Sequence, residues 1–188
     1  PTAEQYQNIG GVRNRGVELG VKTDSKLAWS GDLAYTYLDA KFTRNDSYCM
    51  SMGSRTVVLP CQPYNNTGNV VPRTPKHKMN LSTRYRYTSA LSFSAEMNAQ
   101  SGLYADEVNQ VWVGGRTLFN AMVNYELKTE RGMKWSAFAR IDNLLGRRYY
   151  STIRGGSDAD GNGVYNAEDM SITVDPGRVW TAGLSAAF

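Results

Sequence analysis

An acidic, glycine-rich segment near the end of the chain has the residue types of a calcium-binding loop. Asp158, Asp160 and Asn162 place side-chain oxygens at its first, third and fifth positions, and Gly163 is the sixth. This spacing matches the opening of an EF-hand loop, in which carboxylate and amide oxygens coordinate Ca²⁺ and a glycine allows a sharp turn. The twelfth position is Asp169 rather than glutamate, and no flanking helices are evident. Segment 158–169 is therefore predicted either to bind calcium or to form an acidic surface loop, and the pattern supports both.

Arginine and aromatic side chains in the long polar segments form a second set of candidates. An arginine fork suits planar oxyanions, and Tyr and Trp offer rigid amphipathic surfaces, so together they suit an anionic, aromatic ligand. The same residue types also serve solubility and packing in surface loops. The candidate ligand-binding residues are Arg44, Tyr48, Tyr64, Arg73, Tyr104, Trp112, Arg116 and Arg154.

Catalytic and nucleic-acid chemistry is not indicated. His77 is the single histidine, and the sequence has no Ser/His/Asp set, zinc-ligand spacing or phosphate-binding loop. The formal net charge of +4 is modest, and the basic residues are scattered, which argues against a nucleic-acid partner. We therefore predict that the protein is not an enzyme and requires no cofactor, with calcium in segment 158–169 as the one optional metal.

The two cysteines, Cys49 and Cys61, lie in one polar stretch rich in Asn, Pro, Gly and Ser. In an exported protein this arrangement predicts a local disulfide that staples a loop. In the cytosol the same residues would be two free thiols. The strand pattern described next favours the exported interpretation.

The elements that must position these residues are strands with a period of two. The last segment alternates large and small side chains and ends on the aromatic Phe188. About ten residues of such alternation can cross a bilayer obliquely, whereas a soluble strand is usually about half as long. Seven segments share the pattern: 15–23, 28–41, 76–87, 91–100, 117–127, 133–143 and 176–188.

The connections and charges indicate a transmembrane β-barrel. Almost all strand charges fall on the polar side of their strands, as expected if the other side faces lipid. Short turns at 24–26, 88–90 and 128–132 alternate with long loops at 43–75, 101–116 and 144–175. The alternative is a soluble β-sandwich with ordinary core aromatics. Because an open seven-stranded sheet would leave unpaired edges in lipid, we expect the chain to be part of a larger barrel.

Five segments, in the right order, resemble the barrel of TonB-dependent outer-membrane receptors. Residues 8–18 resemble the Asn-, Arg-, Gly- and Glu-containing opening of a late strand, and 35–40 look like the strand that follows. Residues 72–81 resemble a proline-rich, histidine-containing strand start. Residues 141–150 are similar to the family's Asn-Leu-Phe-to-Tyr signature, with Leu145 where phenylalanine is common. Residues 175–178 and the strand to Phe188 resemble the family's C-terminal end.

The resemblance implies that residues 1–188 are the C-terminal part of a barrel, the last seven of 22 strands, with the N-terminal plug and earlier strands not in this sequence. Such receptors bind a scarce nutrient outside the cell and import it with energy from the TonB complex. Ferric siderophores are the commonest cargo, and the loop residues named above would contact that anionic, aromatic chelate. The resemblance also gives Phe188 a role as a signal for the outer-membrane assembly machinery.

We therefore expect a bacterial outer-membrane receptor for a ferric siderophore, with outer-membrane lipid and the TonB complex as further partners. Within the same class, haem, cobalamin or a glycan is the alternative cargo. The alternative of a different class is an extracellular β-rich binding or adhesion module that calcium stabilises.

Overall fold

The computed structural model describes residues 10–45, 48–50, 62–128, 133–155 and 158–187. These ranges form strands and one short 3-10 turn, Ala167–Asp169. In chain order the strands are β1 Gly11–Lys22, β2 Trp29–Arg44, β3 Tyr48–Met50, β4 Gln62–Tyr64, β5 His77–Arg86, β6 Leu91–Gln100, β7 Leu103–Tyr104, β8 Trp112–Val113, β9 Arg116–Lys128, β10 Lys134–Asp142, β11 Tyr150–Arg154, β12 Ser171–Val174 and β13 Val179–Ala187.

The seven long strands form one antiparallel sheet in the order β1-β2-β5-β6-β9-β10-β13. Each long strand therefore pairs with the next long strand along the chain, which is the up-and-down order of a barrel wall. The predicted all-β antiparallel fold with seven long strands is confirmed. Within the described ranges, β1 and β13 each pair on one side only.

The strand register brings the predicted apolar sides of all seven strands onto one face. Leu33 of β2 pairs with Leu81 of β5, which pairs with Met97 of β6. The same parity continues through every other interface of the sheet, as far as the pairing of Ala137 with Leu184 between β10 and β13. The apolar side of each strand was predicted from the sequence of that strand alone, whereas the register depends on how neighbouring strands pair in the sheet. Their agreement supports one continuous lipid-facing surface, called the apolar face below.

Large side chains on the apolar face have no protein cover. Trp180 and Leu184 are each 73% exposed, Trp29 is 66% exposed and Val17 is 64% exposed. A soluble protein rarely leaves so continuous an apolar surface open, because each such side chain gains free energy when it leaves water. No helix within the described ranges is long and apolar enough to cross a membrane.

The opposite, polar face carries the charged side chains of the strands. Arg140 of β10 forms ion pairs of 2.8 Å with Glu96 of β6 and with Asp142 of its own strand. The face also carries Phe138, which pairs with Gly183 and whose ring lies where a Cβ on residue 183 would be. Any larger residue at position 183 would force the Phe138 ring to move, because its Cβ would lie too close to Cε1 of that ring. This polar face corresponds to the predicted barrel lumen.

The three long connections lie at one end of the sheet, and each contains a hairpin that the sequence did not predict. These hairpins are β3–β4, β7–β8 and β11–β12. The first strands also extend beyond their predicted ends. β1 begins at Gly11 and β2 continues to Arg44, because these two residues pair with each other beyond a register shift between Gly11 and Val12.

Candidate functional site

A cavity of about 640 Å³ lies where the polar face meets the long connections. It is lined by the outer ends of three adjacent strands, through Lys78 of β5, Gln100 of β6 and Arg116 of β9. These three positions are register partners, so the sheet sets their spacing. Arg73, Pro75, Leu103 and the segments 113–115 and 147–154 complete the lining. The volume falls within the range of about 300–1,000 Å³ that is typical of small-molecule sites.

Arg116 is held in this cavity by two contacts to the loop that follows β10. Its guanidinium carbon lies 4.4 Å from the centroid of the Tyr149 ring, and its Nη1 donates to the carbonyl oxygen of Tyr150 at 3.1 Å. A cation–π contact of this kind contributes about 0.5–1 kcal/mol at an exposed site. The side chain is thus oriented, while other N–H donors of the fork remain for a ligand.

A turn built on Asn143 brings two more arginines to the cavity. Asn143 is 4% exposed and has a φ of 52°, a conformation that asparagine tolerates better than most residues. Its Nδ2 donates to the carbonyl oxygen of Arg147 at 2.7 Å, and its Oδ1 accepts from the amide of Arg147 at 2.9 Å. The backbone N–H of Asn143 donates to Oδ1 of Asn120 on β9. This side chain therefore fixes the start of the segment that presents Arg147 and Arg148.

The lining has an unbalanced charge. Its six basic residues are Arg73, Lys78, Arg116, Arg147, Arg148 and Arg154, and none of the described Asp and Glu residues lines the cavity. Across the described ranges, the ion pairs join Lys22 to Asp32 and Arg140 to Glu96 and Asp142, so none involves a cavity residue. A cleft lined by one sign of charge concentrates ions of the opposite sign.

Tyr149 is anchored on its other side by Asp175. The tyrosine hydroxyl donates to Oδ2 of Asp175 at 2.5 Å, and the amide of Asp175 donates to the carbonyl oxygen of Tyr149 at 3.1 Å. Burial raises the pKa of Tyr149 above its ordinary value, and the neighbouring Asp175 carboxylate raises it further. The hydroxyl therefore stays protonated and keeps donating at neutral pH. This pair closes the base of the β11–β12 hairpin beside the cavity.

The described parts of the three long connections pack together, and we call the described residues within 45–76, 101–115 and 143–178 the loop assembly. Tyr165 is 6% exposed and packs against Tyr64, Val108, Val111 and Met170, which come from all three connections. The first two connections are joined further, because the amide of residue 73 donates to the carbonyl oxygen of residue 104 at 2.7 Å. The loop assembly thus has its own small core above the cavity.

Comparison with known families decides what kind of sheet this is. A family model described as TonB dependent receptor-like, beta-barrel, matches residues 1–144. The chain belongs to this family. Members of the family are bacterial outer-membrane proteins, so the predicted location is confirmed.

Curated relatives agree with this assignment. The probable TonB-dependent siderophore receptor PiuA of Acinetobacter baumannii is 29% identical over 146 residues, which are 78% of this chain and 18% of that protein. The ferrichrome outer membrane transporter/phage receptor of Escherichia coli K12 is 28% identical over 148 residues, 76% of this chain and 17% of that protein. The chain therefore spans less than a fifth of the length of the curated relatives it matches.

Solved structures share the fold. The siderophore receptor PiuA from Acinetobacter baumannii superposes with a TM-score of 0.71 at 23% identity, over 96% of this chain and 22% of that one. The ferric yersiniabactin uptake receptor FyuA from Yersinia pestis gives a TM-score of 0.66 at 24% identity, over 96% of this chain and 24% of that one. The predicted resemblance to part of a TonB-dependent receptor barrel is confirmed.

Of the eight predicted ligand-binding residues, the structure brings Arg73, Arg116 and Arg154 together in the cationic cavity. Sequence reasoning missed Lys78, Arg147, Arg148, Tyr149 and Tyr150, which also line it. Two signals could have found them. Lys78 has polar parity at the outer end of its strand, and the tyrosines and arginines belong to the motif at 141–150 that already carried the family resemblance.

Tyr104 and Trp112 do not share the cavity of Arg116. Their rings contact each other, with centroids 5.0 Å apart, and both line a second cavity of about 370 Å³ with His77. His77 pairs with Tyr37 on the apolar face. Tyr104 and Trp112 are separated from Arg116 because side chains alternate between the two sides of the β7–β8 hairpin. The Leu103–Val113 pair lines the cationic cavity, so the next pair, Tyr104–Trp112, points to the other side.

The other three candidates lie elsewhere. Tyr64 packs into the core of the loop assembly against Tyr165. Arg44 ends β2 and does not line the cationic cavity. The side chain of Tyr48 lies outside the described part of the structure.

The acidic segment forms a tight turn whose carboxylates accept backbone amides. Carboxylate oxygens of Asp158, Asp160 and Asp169 lie within 4.8 Å of one another. Asp158 accepts from the amides of residues 161, 162 and 163, and Asp169 accepts from those of residues 159 and 166. Asn162, the fourth predicted ligand, accepts from the amide of Val164. These bonds stabilise the turn without a metal, and the cluster by itself is not evidence for calcium.

Three further predicted residues fall, wholly or in their side chains, outside what the structure describes. Cys61 and Phe188 are outside the described ranges, as is the side chain of Cys49. The disulfide and the assembly signal therefore stay predictions.

Proposed function

We propose that this chain is part of an outer-membrane receptor that binds a ferric siderophore outside the cell and imports it with energy from the TonB complex. The observation that carries the proposal is the cationic cavity at the outer end of the polar face. Family membership supports it, as do two relatives whose names include a siderophore receptor and a ferrichrome transporter.

The arrangement suits capture of a chelate from outside. The loop assembly, packed on Tyr165, would hold the mouth of the cavity in shape, so that little conformational entropy is lost on binding. Arg116, oriented by Tyr149, would offer its remaining donors to chelate oxygens. Release of the cargo into the lumen would then depend on the TonB-driven plug, which lies outside this sequence. The full wall would contain 22 strands, of which residues 1–188 supply seven.

Uptake in a receptor-deletion strain tests the proposal. Cells that carry the full-length receptor should accumulate radioactive iron from at least one ferric siderophore of a panel, and collapse of the inner-membrane proton gradient should abolish the accumulation. A panel that also contains haem, cobalamin and a glycan separates the alternative cargoes. Failure to restore uptake of any ferric siderophore, with normal receptor levels at the cell surface, would contradict the proposal.

The same full-length receptor can be used to test the proposals on enzyme activity, partners and protein class. As a transport receptor it would not be an enzyme and would need outer-membrane lipid rather than nucleic acid as a partner. If the receptor dissolves in water without detergent, the alternative of a calcium-stabilised adhesion module is favoured instead.

Two further proposals concern residues outside the described part of the structure. Non-reducing mass spectrometry should find a disulfide between Cys49 and Cys61. A polar residue in place of Phe188 should lower surface levels more than ligand affinity.

Calcium binding by segment 158–169 is a separate proposal. Its support is the spacing of Asp158, Asp160 and Asn162 and the closeness of the carboxylates of Asp158, Asp160 and Asp169. Calorimetry on the intact receptor should show binding that is lost in Asp160→Asn, whose side chain is exposed. Absence of binding at millimolar calcium would leave the turn as a purely protein-stabilised loop.

A further inference from the structure

A chain of hydrogen bonds connects the polar face of the sheet to the turn built on Asn143, called the Asn143 turn below. Arg140 of β10 donates to both carboxylate oxygens of Glu96 on β6, at 3.2 and 2.8 Å. On β9, the strand between them, Nδ2 of Asn120 donates to Oε2 of Glu96 at 3.1 Å. Oδ1 of Asn120 in turn accepts from the backbone N–H of Asn143 at 2.9 Å. The bonds therefore run without interruption from the polar face to the turn.

The carboxylate of Glu96 determines which way the Asn120 amide points. A carboxylate only accepts hydrogen bonds, so Asn120 must direct its NH₂ group toward Glu96. Its carbonyl oxygen must then face the other way, toward the backbone N–H of Asn143, which only donates. A neutral glutamine at position 96 could bond to either end of the amide and would not impose this direction. Glu96 thus acts on Asn143 through Asn120.

Asn143 depends on this acceptor because its surroundings offer little water. The residue is 4% exposed, so its backbone N–H would be left without a partner if Asn120 pointed the other way. Its side chain holds the amide and the carbonyl oxygen of Arg147. Loss of the acceptor would therefore loosen the segment that carries Arg147 and Arg148 to the cationic cavity.

We propose that Glu96, Asn120 and Arg140 are positioning residues of the binding site. None of the three lines the cationic cavity. From the polar face they hold the Asn143 turn, and through it residues 147–150, which do line the cavity. The consequence for cargo binding rests on the proposed function, whereas the consequence for the turn does not.

Trypsin cleavage measures opening of the turn without any ligand, because Arg147 and Arg148 are exposed and trypsin cuts after arginine. The cleavage rate follows the population of the locally opened state. In the purified full-length receptor, Glu96→Gln and Asn120→Leu should each raise the rate of cleavage after these two arginines by about threefold to tenfold, as expected for weakening of one hydrogen bond to a buried group. Leucine has nearly the shape of asparagine but neither donates nor accepts.

Asn124 and Glu126 provide matched controls. They lie on the polar face of β9, nearer to the short turns, and Nδ2 of Asn124 donates to Oε1 of Glu126 at the same distance of 3.1 Å. Asn124→Leu and Glu126→Gln make the same chemical changes away from the Asn143 turn. They should leave the rate of cleavage after Arg147 and Arg148 unchanged, and an equal increase in the control variants would overturn the inference.

A reversed pair tests the direction of the amide itself. In the double variant Glu96→Gln with Asn120→Asp, the carboxylate at position 120 accepts from the Asn143 N–H and from the new amide at position 96. The oxygen of that amide still accepts from Arg140, and the net charge of the cluster is unchanged. Cleavage should therefore return toward the original rate. No recovery would show that the ion pair, rather than the direction of Asn120, holds the turn, which overturns the inference.

Uptake connects the turn to the cavity. The probe is radioactive iron carried by the ferric siderophore of the panel described above that cells accumulate fastest. At equal receptor levels on the cell surface, Glu96→Gln and Asn120→Leu should raise the concentration for half-maximal uptake by about threefold or more, because the cavity is less well formed. The maximal rate should not change, since the wall of the lumen stays folded.

Unchanged cleavage in both variants, or faster cleavage with unchanged half-maximal concentration, overturns the inference and leaves the receptor proposal standing. If the unmodified receptor takes up no ferric siderophore, the proposed function is contradicted, and the cleavage rates still decide whether Glu96 and Asn120 hold the turn.

Discussion

The long-stranded sheet and the loop assembly above it keep their shapes by different means. In the sheet, backbone pairing across six strand interfaces sets the position of every side chain. In the loop assembly, a small core around Tyr165 and side-chain bonds to the backbone, such as those of Asn143, hold irregular segments. The sheet is open on its apolar face, whereas the assembly buries a small group of apolar side chains around Tyr165.

This difference separates stability from recognition. The sheet needs lipid on one face, so its stability belongs to the barrel as a whole. The loop assembly has a small core of its own, so we expect it to open locally without loss of the barrel. The cationic cavity lies between the two, with Lys78 and Arg116 fixed by the sheet and Arg147 and Arg148 fixed by the loops.

The largest effect is expected from a charge on the apolar face. Ala95 pairs with Ala121 near the middle of the sheet. Ala95→Arg should lower the free energy of unfolding of the full-length receptor in lipid vesicles by about 2–4 kcal/mol, because the guanidinium would face hydrocarbon. The measurement is chemical unfolding of the refolded receptor. Asn98→Arg, on the polar face of the same strand, is the control, and an equal cost in both variants would contradict the assignment of the two faces.

Loss of the loop core should have a smaller and local effect. Tyr165→Ala should reduce the free energy of loop opening by about 2–3 kcal/mol, since it removes a large buried side chain from a small core. Limited proteolysis should then cut all three connections faster, while the unfolding temperature of the barrel stays unchanged. Ile172→Ala, in the same connection but 46% exposed, should leave cleavage near its original rate. Global unfolding in Tyr165→Ala would show that the two regions are not independent.

Charge pairs on the polar face should contribute less. Arg140 contacts Glu96 through two hydrogen bonds, of 3.2 and 2.8 Å, and both side chains are about one third exposed. Glu96→Gln should cost about 1–2 kcal/mol in chemical unfolding. Asp32→Asn breaks a single 3.5 Å contact to Lys22 between largely exposed groups and should cost under about 0.5 kcal/mol. The reverse ranking would show that contact geometry does not determine these energies.

A further effect, confined to the loop assembly, concerns Tyr149 and pH. Because its pKa is raised above the ordinary value of 10.0, the folded protein holds the proton more tightly than the unfolded chain does. The stabilisation is therefore complete below about pH 10 and is lost as pH rises through the folded pKa. Tyr149→Phe should cost about 1 kcal/mol in loop opening near neutral pH. The difference in tyrosinate absorbance between wild type and variant should show a titration above pH 10, and a step at or below pH 10 would contradict the contact with Asp175.

The sheet could be predicted from the sequence because alternation acts directly on the strand. The apolar side of each strand can be identified from residues such as Val17, Leu81 and Leu184. Strand pairing cannot move these side chains to the other face. Strand ends were less accurate, since the pairing of Gly11 with Arg44 depends on both strands together.

The site was only partly predictable, because it depends on contacts between distant segments. Arg73, Arg116 and Arg154 were found by residue type, but Arg147 and Arg148 reach the cavity through a turn that the left-handed conformation of Asn143 sets. Trp112 was assigned to the same site as Arg116, and only the pairing of β7 with β8 shows that it points to the other side. Residue types thus identify candidate binding residues, while the register of the hairpins determines which candidates line the same cavity.

Anomalous diffraction from iron in crystals of the full-length receptor with a bound ferric chelate tests the central claim most directly. The account predicts an iron peak at the cationic cavity, with chelate oxygens in contact with Arg116 and Arg154. An iron peak outside this cavity, with Arg116 and Arg154 making no contact with the chelate, would contradict it.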